Sequence, residues 1–375
     1  MRRRLTLALA LLALAACTAG PATAAARMLI GLQDDAQLLY GDPDKSFPLV
    51  KALHVQIVRA NLLWNKVAPT RPLHPQDPND PAYDWGTWDR AVLYSTQYKA
   101  RVLFTIYGTP RWANGGGTPN RAPKVALDLQ KFAYAAAKRY SGTFVRDDGR
   151  VLPPVRYWMA WNEPNAPAFL APQYARKNGT WVIQSAIDYA KICTAVFKGV
   201  HSTLLTNEKV ACGGTNPRGN NDPASYRPST DPLTFMRALK SAGLKTFDAY
   251  AHHPYYQSPT DTPATKPKAK NVVTLGNIDT LITQLTALWG KKRLWLTEYG
   301  YQTNPPDNIF GVNYARQAAY LKQAFAIARK NPRIDMMVWF LLRDEPRIGD
   351  GWQSGLLTMT GKRKPAFNTF AQLPH

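Results

Sequence analysis

Two glutamates stand at positions where a carboxylic acid is costly to place. Glu163 follows an apolar segment in the sequence Asn162-Glu163-Pro164, and Glu298 ends a second apolar segment 135 positions later. Charged side chains at the ends of apolar strands destabilise a fold unless they are paired or used. Two carboxyl groups that face each other across a cleft can cleave a glycosidic bond, one as acid and the other as nucleophile or base.

The elements around the glutamates predict how they are positioned. Runs rich in β-branched and aromatic residues predict strands at 27–32, 55–60, 101–107, 155–161, 208–213, 246–252, 293–298 and 335–341. Amphipathic segments predict helices at 45–54, 86–98, 125–140, 182–204, 231–242, 277–290, 312–330 and 364–372. Eight strands alternating with eight helices indicate an α/β protein, a (β/α)8 TIM barrel that forms a single domain over residues 27–375.

Loop lengths support the same architecture. Most loops after a predicted strand are long and rich in Pro, Gly and Asn, whereas most loops before a strand are short. In such a barrel all strand-to-helix loops lie at the carboxyl-terminal face, where active sites of this fold are found. Because strands four and seven lie on opposite sides of the ring, Glu163 and Glu298 should point across that face.

The whole predicted barrel resembles the retaining glycosidases of glycoside hydrolase clan A, and is most similar to families 39 and 5. The resemblance rests on the Asn-Glu pair after strand four and the glutamate that ends strand seven. It implies that Glu163 is the general acid/base, that Glu298 is the nucleophile and that Asn162 bonds the sugar 2-hydroxyl.

The resemblance also implies roles for supporting residues. Arg59, at the end of strand two, would orient the nucleophile, and His253 with Tyr255 matches a His-x-Tyr motif after strand six. Trp339 on strand eight would be the aromatic platform beneath the reacting sugar. Tyr107 stands where family 5 often has a histidine, so this position departs from that family.

Aromatic side chains are expected to bind sugar rings, because flat C–H faces of sugars stack on them. Strand ends and the following loops carry Trp64, Trp112, Trp161, Tyr255, Tyr256, Tyr299 and Trp339. Among the tryptophans we expect Trp112 and Trp339 to contact ligand. We interpret Trp158 and Trp295, inside strands, as fillers of the core.

Composition restricts the function classes. With 45% hydrophobic and 19% charged residues, the chain is neither disordered nor fibrous. The net charge of +22 would favour association with anionic polymers, cell-wall polymers or acidic membranes, but most lysines and arginines are scattered along the chain, as on an ordinary solvated surface. Because no nucleic-acid-binding motif is present, we expect no nucleic acid partner.

Neither a cofactor nor a catalytic metal is expected. His252-His253 lacks the companion histidines or carboxylates at metal-ligand spacing. Cys193 and Cys212 could form at most one bridge, and we interpret them as small buried residues rather than nucleophiles.

The first 26 residues predict a secretion signal. Three arginines are followed by an apolar run and then by small residues. Leu14-Ala15-Ala16-Cys17 resembles the lipobox of bacterial lipoproteins, in which Cys17 becomes lipidated. Free secretion and membrane attachment through Cys17 both stay open.

The sequence therefore predicts a secreted or surface-anchored retaining glycosidase acting on β-linked bonds of an oligo- or polysaccharide. Two other functions stay open, a transglycosylase that uses the same glutamates and a non-catalytic carbohydrate-binding surface protein. A structural alternative also remains, in which both glutamates are paired with Arg59 or another cation in a structural network. Oligomeric state is not predicted.

Overall fold

Eight parallel strands close into a barrel, as the sequence predicts. The computed structural model describes residues 28–347 and 351–374. Its strands are β1 Leu29–Gln33, β2 Ile57–Leu63, β3 Arg101–Tyr107, β4 Tyr157–Ala160, β5 Ala175–Lys177, β6 Thr180–Val182, β7 Lys209–Thr215, β8 Ala249–His252, β9 Arg293–Tyr299 and β10 Ile334–Phe340. The barrel order is β1-β10-β9-β8-β7-β4-β3-β2, and β5 with β6 forms a separate antiparallel hairpin.

Helices follow the barrel strands and cover their outer side. They are α1 Asp35–Leu38, α2 Pro43–Ala52, α3 Trp64–Val67, α4 Gly86–Gln97, α5 Arg111–Asn114, α6 Ala126–Arg139, α7 Gln184–His201, α8 Pro232–Ser241, α9 Ile278–Trp289, α10 Tyr314–Lys330 and α11 Pro365–Ala371. Each of the eight predicted helices has a counterpart among them. The short helices α1, α3 and α5 lie in strand-to-helix loops and were not predicted.

Two layers of apolar side chains form the core. A small cluster fills the inside of the barrel and comprises Ile57, Leu103, Met159, Ala211, Ala249, Ala251, Trp295 and Met336. A much larger cluster lies between the strands and the helices. Trp158 and Trp295 are at most 2% exposed, as expected for core residues.

One covalent link ties a helix to the barrel. Cys193 of α7 and Cys212 of β7 form a disulfide with a Cα–Cα distance of 5.8 Å. This is the one bridge that the sequence allowed, and both cysteines are fully buried.

The predicted secretion signal, Cys17 and the proposed domain start at residue 27 lie outside the described residues. In the part of the chain that is described, every helix is too short or too polar to span a bilayer.

A buried ion pair fastens the carboxyl-terminal loops to the barrel mouth. Lys364 Nζ donates to Asp344 Oδ1 at 2.7 Å, to Thr303 Oγ1 at 2.8 Å and to the carbonyl of Gln353 at 3.1 Å. Its side chain is inaccessible to solvent. Burial lowers the pKa of Lys364 to about 8 even beside Asp344. The ammonium thereby joins the loops that follow β9 and β10.

We predict that Lys364→Met lowers the free energy of unfolding by about 3–5 kcal/mol, because it leaves the Asp344 carboxylate buried without its cation. Chemical denaturation at neutral pH measures the change. Lys362→Met, which removes an exposed charge two residues away, should change stability by less than about 0.5 kcal/mol. Equal effects of the two substitutions would show that the pair does not hold these loops.

Candidate active site

A cavity of about 400 Å³ opens at the carboxyl ends of the barrel strands. Its wall contains polar and aromatic side chains from most strand-to-helix loops, namely Gln33, Asn61, Asn162, Glu163, Phe169, Asn216, Pro217, Arg218, Tyr255, Tyr256, Gln257, Glu298, Gln302, Phe310, Phe340 and Trp352. Both glutamates singled out in the sequence are therefore at one surface. They are 7% and 8% exposed, which leaves their carboxyl groups within reach of a bound molecule.

The Arg59 guanidinium lies beneath this cavity and is completely buried. Its Nη1 donates to Glu298 Oε2 at 2.7 Å, and its Nη2 donates to Asn162 Oδ1 at 2.7 Å. Further hydrogen bonds go to Thr105 Oγ1 at 3.0 Å and to the side chain of Gln33. Strand β2 thus supplies one cation that fixes groups from β1, β3 and β9 and from the turn just after β4.

Glu298 is held in its ionised form. Its second oxygen, Oε1, accepts a hydrogen bond from Tyr255 Oη at 2.9 Å. Burial opposes ionisation, but the electrostatic interactions with His253 and Arg59 and the hydrogen bonds from Arg59 and Tyr255 outweigh it, so the pKa of Glu298 is lowered. A buried, oriented carboxylate of this kind is suited to act as a nucleophile.

Glu163 has a different set of partners. Its Oε1 lies 2.9 Å from His253 Nδ1, and its Oε2 accepts from Asn216 Nδ2 at 2.9 Å. His253 Nε2 lies 3.1 Å from Thr297 Oγ1, which fixes the ring between the two glutamate-bearing segments. Glu163 therefore has no arginine or lysine partner among the described residues, in contrast to Glu298.

The backbone around Glu163 adopts a rare conformation. Trp161 and Glu163 have φ values of 68° and 36°, in the left-handed region that residues with a Cβ seldom occupy. The hydrogen bond from the Glu163 backbone N–H to the carbonyl of Gly214 holds this turn. Such strain clusters at functional sites, and here it turns the carboxyl group of Glu163 into the cavity.

Glu163, His253 and Glu298 each place one potential ligand atom within 4.8 Å of the others. Three such donors could hold a metal ion. However, Arg59 already lies 2.7 Å from Glu298, and its positive charge would repel a second cation there. The donor set consequently fits a metal poorly.

Six of the nine residues singled out in the sequence meet at this site: Arg59, Asn162, Glu163, His253, Tyr255 and Glu298. The expectation for Trp339 is wrong in this structure. Its ring is fully buried, and its Nε1 donates to the carbonyl of Ser354 at 2.9 Å. Phe340, the next residue on β10, and Trp352 from the following loop line the cavity instead.

Trp112 and Tyr107 also require correction as ligand contacts. Trp112 donates from Nε1 to the carbonyl of Ala68 at 2.9 Å and lies under the Arg71 guanidinium, away from the cavity wall. Tyr107 packs edge-on against Trp161 at 5.1 Å and against Phe169 at 6.1 Å. Of these residues only Phe169 lines the cavity, so Tyr107 supports the wall from behind.

Several lining residues were missed in the sequence. Gln33 ends β1 and Asn216 follows β7, and these positions at strand ends could have indicated them, whereas Asn61 lies inside β2. Trp352 lies 12 residues beyond the end of β10, so neither spacing nor periodicity pointed to it.

No protein-family model matches this sequence, and no curated protein matches it either. Solved structures do resemble it. A family 39 glycoside hydrolase from Bacteroides cellulosilyticus WH2 aligns with a TM-score of 0.62 at 18% identity, over 92% of this chain and 63% of that one. A family 5 subfamily 18 protein from Bifidobacterium longum subsp. infantis gives 0.60 at 14% identity, over 92% and 78%.

A structure described with two fungal β-1,4-galactanases aligns with a TM-score of 0.58 at 12% identity, over 93% of this chain and 100% of that one. The chain spans 63% of the length of the first family 39 structure. At these identities the similarity concerns the fold. It confirms the predicted (β/α)8 barrel, which this chain shares with the solved family 39 and family 5 structures.

We predict that Arg59→Met lowers the free energy of unfolding by about 3–5 kcal/mol and raises the pKa of Glu298, because the buried carboxylate loses its cation. A lowered pKa stabilises the native protein above the ordinary glutamate range, and this stability is lost as pH falls through the native pKa. In Arg59→Met the free energy of unfolding should therefore decrease less than in the wild type as the pH is lowered through this range.

Denaturation across pH, with NMR titration of 13C-labelled glutamate, measures both effects. Arg101→Met removes an exposed arginine at the opposite end of the barrel and should change neither. Arg59→Lys keeps the charge and should retain part of the lowered pKa. An unchanged pKa of Glu298 in Arg59→Met would show that Arg59 does not lower it.

Proposed function

We propose that this protein is a retaining glycoside hydrolase that cleaves β-glycosidic bonds of an oligo- or polysaccharide. The pair Glu163 and Glu298 carries the proposal. Both line one open cavity, and one oxygen of each lies within 4.8 Å of the other. Carboxyl groups stand about 5–5.5 Å apart in retaining glycosidases and about 6.5–9.5 Å apart in inverting ones. The short separation favours the retaining mechanism.

A purely structural role explains the arrangement less well. Glu298 alone would neutralise Arg59, so a structural pair needs no second carboxyl group. Glu163 is instead held by a histidine and an amide, and it faces the same cavity. Two carboxyl groups in different electrostatic environments are what acid and nucleophile require.

In the proposed first step an oxygen of Glu298 attacks the anomeric carbon. The bond from that carbon to the leaving oxygen breaks, and the leaving oxygen takes the proton of Glu163. In the second step Glu163 removes a proton from water, whose oxygen attacks the anomeric carbon and releases Glu298. If a sugar hydroxyl replaces water, the same residues transfer the glycosyl group.

Two features of the cavity support a bound sugar. The Oδ1 of Asn162 already accepts from Arg59, which leaves its amide nitrogen to donate to a sugar 2-hydroxyl. Trp352 packs against Tyr255 at 5.2 Å and against Phe340 at 5.7 Å, and it presents an aromatic surface to the cavity. We assign to Trp352 the stacking role that the sequence suggested for Trp339.

We also propose that the protein works outside the cytoplasm, either free or anchored through Cys17. The disulfide between Cys193 and Cys212 supports this location, because such bonds persist in oxidising compartments. The solved β-1,4-galactanases of the same fold support β-linked substrates.

We predict that Glu298→Gln lowers kcat/KM on aryl β-glycosides by about 10³-fold or more, because no nucleophile remains. Glu163→Gln should cost about 10²- to 10⁴-fold on substrates with poor leaving groups, which need its proton. On substrates with good leaving groups, azide should restore turnover, because it attacks the glycosyl-enzyme without a general base. Steady-state kinetics on a panel of aryl β-glycosides and β-linked polysaccharides measures these effects.

Glu208→Gln is the matched control, since Glu208 is a buried glutamate just before β7, at the opposite end of the barrel. It should leave kcat/KM within about twofold. Turnover that survives unchanged in both cavity variants would refute the mechanism. A folded wild type without turnover on any panel member would favour the carbohydrate-binding alternative.

We predict that Trp352→Ala raises KM about tenfold, because a sugar ring loses its stacking surface. Trp352→Phe should restore much of the affinity. Trp181→Ala removes an exposed tryptophan on the β5–β6 hairpin, outside the cavity, and should leave KM unchanged. A normal KM in Trp352→Ala would exclude the stacking role.

A further inference from the structure

The cavity contains a positive charge that the proposed chemistry does not use. Its lining residues include two carboxyl groups, Glu163 and Glu298, and a single cation, Arg218. Arg59 neutralises Glu298 from below, at 2.7 Å. Among the described residues no carboxylate lies within ion-pair distance of Arg218. Arg218, an exposed residue at the rim of the cavity, is therefore a lining cation that no described carboxylate pairs with.

The segment that carries Arg218 is fixed relative to Glu163. Asn165, which is fully buried, donates from Nδ2 to the carbonyls of Asn216 and Thr230, and its Oδ1 accepts from the Asn216 backbone N–H. Asn216 also donates to Glu163 Oε2. The backbone N–H of Arg218 then lies 3.3 Å from Asn216 Oδ1. Arg218 is thus anchored within two residues of a direct partner of Glu163.

The guanidinium of Arg218 has only a neutral partner at the cavity wall. Its Nη1 lies 3.5 Å from Gln257 Oε1, a long hydrogen bond. The Gln257 amide nitrogen donates to the carbonyls of Tyr255 and Tyr256, so its oxygen is the atom turned toward the arginine. The nearby Asp261 carboxylate accepts from the backbone N–H groups of Gln257 and Ser258.

An arginine with unused donors at a cavity wall is suited to one kind of ligand. Its planar fork binds carboxylate and sulfate groups through two parallel hydrogen bonds, whereas neutral hydroxyl groups can be bound by the amides already present. The net charge of +22 would also draw acidic polymers toward the protein.

We propose that Arg218 makes this cavity selective for an acidic saccharide, by binding a carboxylate or sulfate group of the sugar. This inference rests on the proposed function, since it assigns a substrate class to the same site. Because Asn216 joins the Arg218 segment to the proposed acid Glu163, the acidic group belongs to the sugar on the leaving-group side.

The test measures binding separately from turnover. Glu163→Gln is the host protein, because it suppresses cleavage and keeps the pair between Arg59 and Glu298. Calorimetry compares β-1,4-linked tetraglucuronate, cellotetraose and 6-O-sulfated cellotetraose, which differ only at C6. We expect at least one of the acidic tetrasaccharides to bind about tenfold or more tighter than cellotetraose, and the better of the two identifies the acidic group.

Adding Arg218→Gln should reduce that preference about tenfold or more, because the acidic group loses two parallel charge-assisted hydrogen bonds from the guanidinium. Arg218→Lys, which keeps the charge without the fork, should retain only part of it. Arg227→Gln removes an exposed arginine from the same loop, outside the cavity, and should leave the preference within about twofold.

Equal affinity for acidic and neutral tetrasaccharides, a preference that survives Arg218→Gln, or no binding of either acidic one would overturn the proposal. Turnover by the protein with Glu163 intact is measured on the same sugars. Acid-selective binding without turnover would refute the glycosidase and leave the assignment of Arg218 standing. Turnover without acid selectivity would support the glycosidase and refute the assignment of Arg218.

Discussion

The buried guanidinium of Arg59 determines how the barrel mouth is built. It contacts residues from four other parts of the barrel: Gln33, Thr105, Asn162 and the Thr297-Glu298 segment. A desolvated cation of this kind is costly unless its donors are satisfied. Because the partners come from three strands and from the turn just after a fourth, the requirement to satisfy one side chain fixes the relative positions of these strand ends. Glu298 is then oriented by the same interaction that lowers its pKa.

The second glutamate is positioned by different means, and this separates the two carboxyl groups electrostatically. Glu163 depends on His253, Asn216 and a left-handed backbone turn rather than on an arginine. His253 also lies 3.8 Å from Glu298, so its ring interacts with both carboxyl groups but lies closer to Glu163. The difference in partners is the physical basis for assigning different roles to two chemically identical side chains.

The loops at the mouth depend on buried polar anchors rather than on apolar packing alone. Asn165 joins both ends of the loop that carries Arg218, and Lys364 joins the loop that carries Trp352 to its neighbours. Ordering long loops costs conformational entropy, and hydrogen-bonded anchors without solvent access offset that cost. The cavity wall therefore has a defined shape although little of it is regular secondary structure.

The sequence by itself determined the alternation of strands and helices, the barrel class and the position of both glutamates at strand ends. These features follow from local periodicity and from the cost of a charge beside an apolar strand.

The sequence did not decide which side of a strand faces inward. Trp339 and Phe340 both lie in an uninterrupted apolar run, and a strand buried on both faces has no polar alternation to reveal its orientation. Tertiary structure put Phe340 in the cavity and Trp339 behind it. Likewise, only folding brought Trp352, Asn216 and Arg218 to the glutamates, because long loops carry no periodicity from which their path can be read.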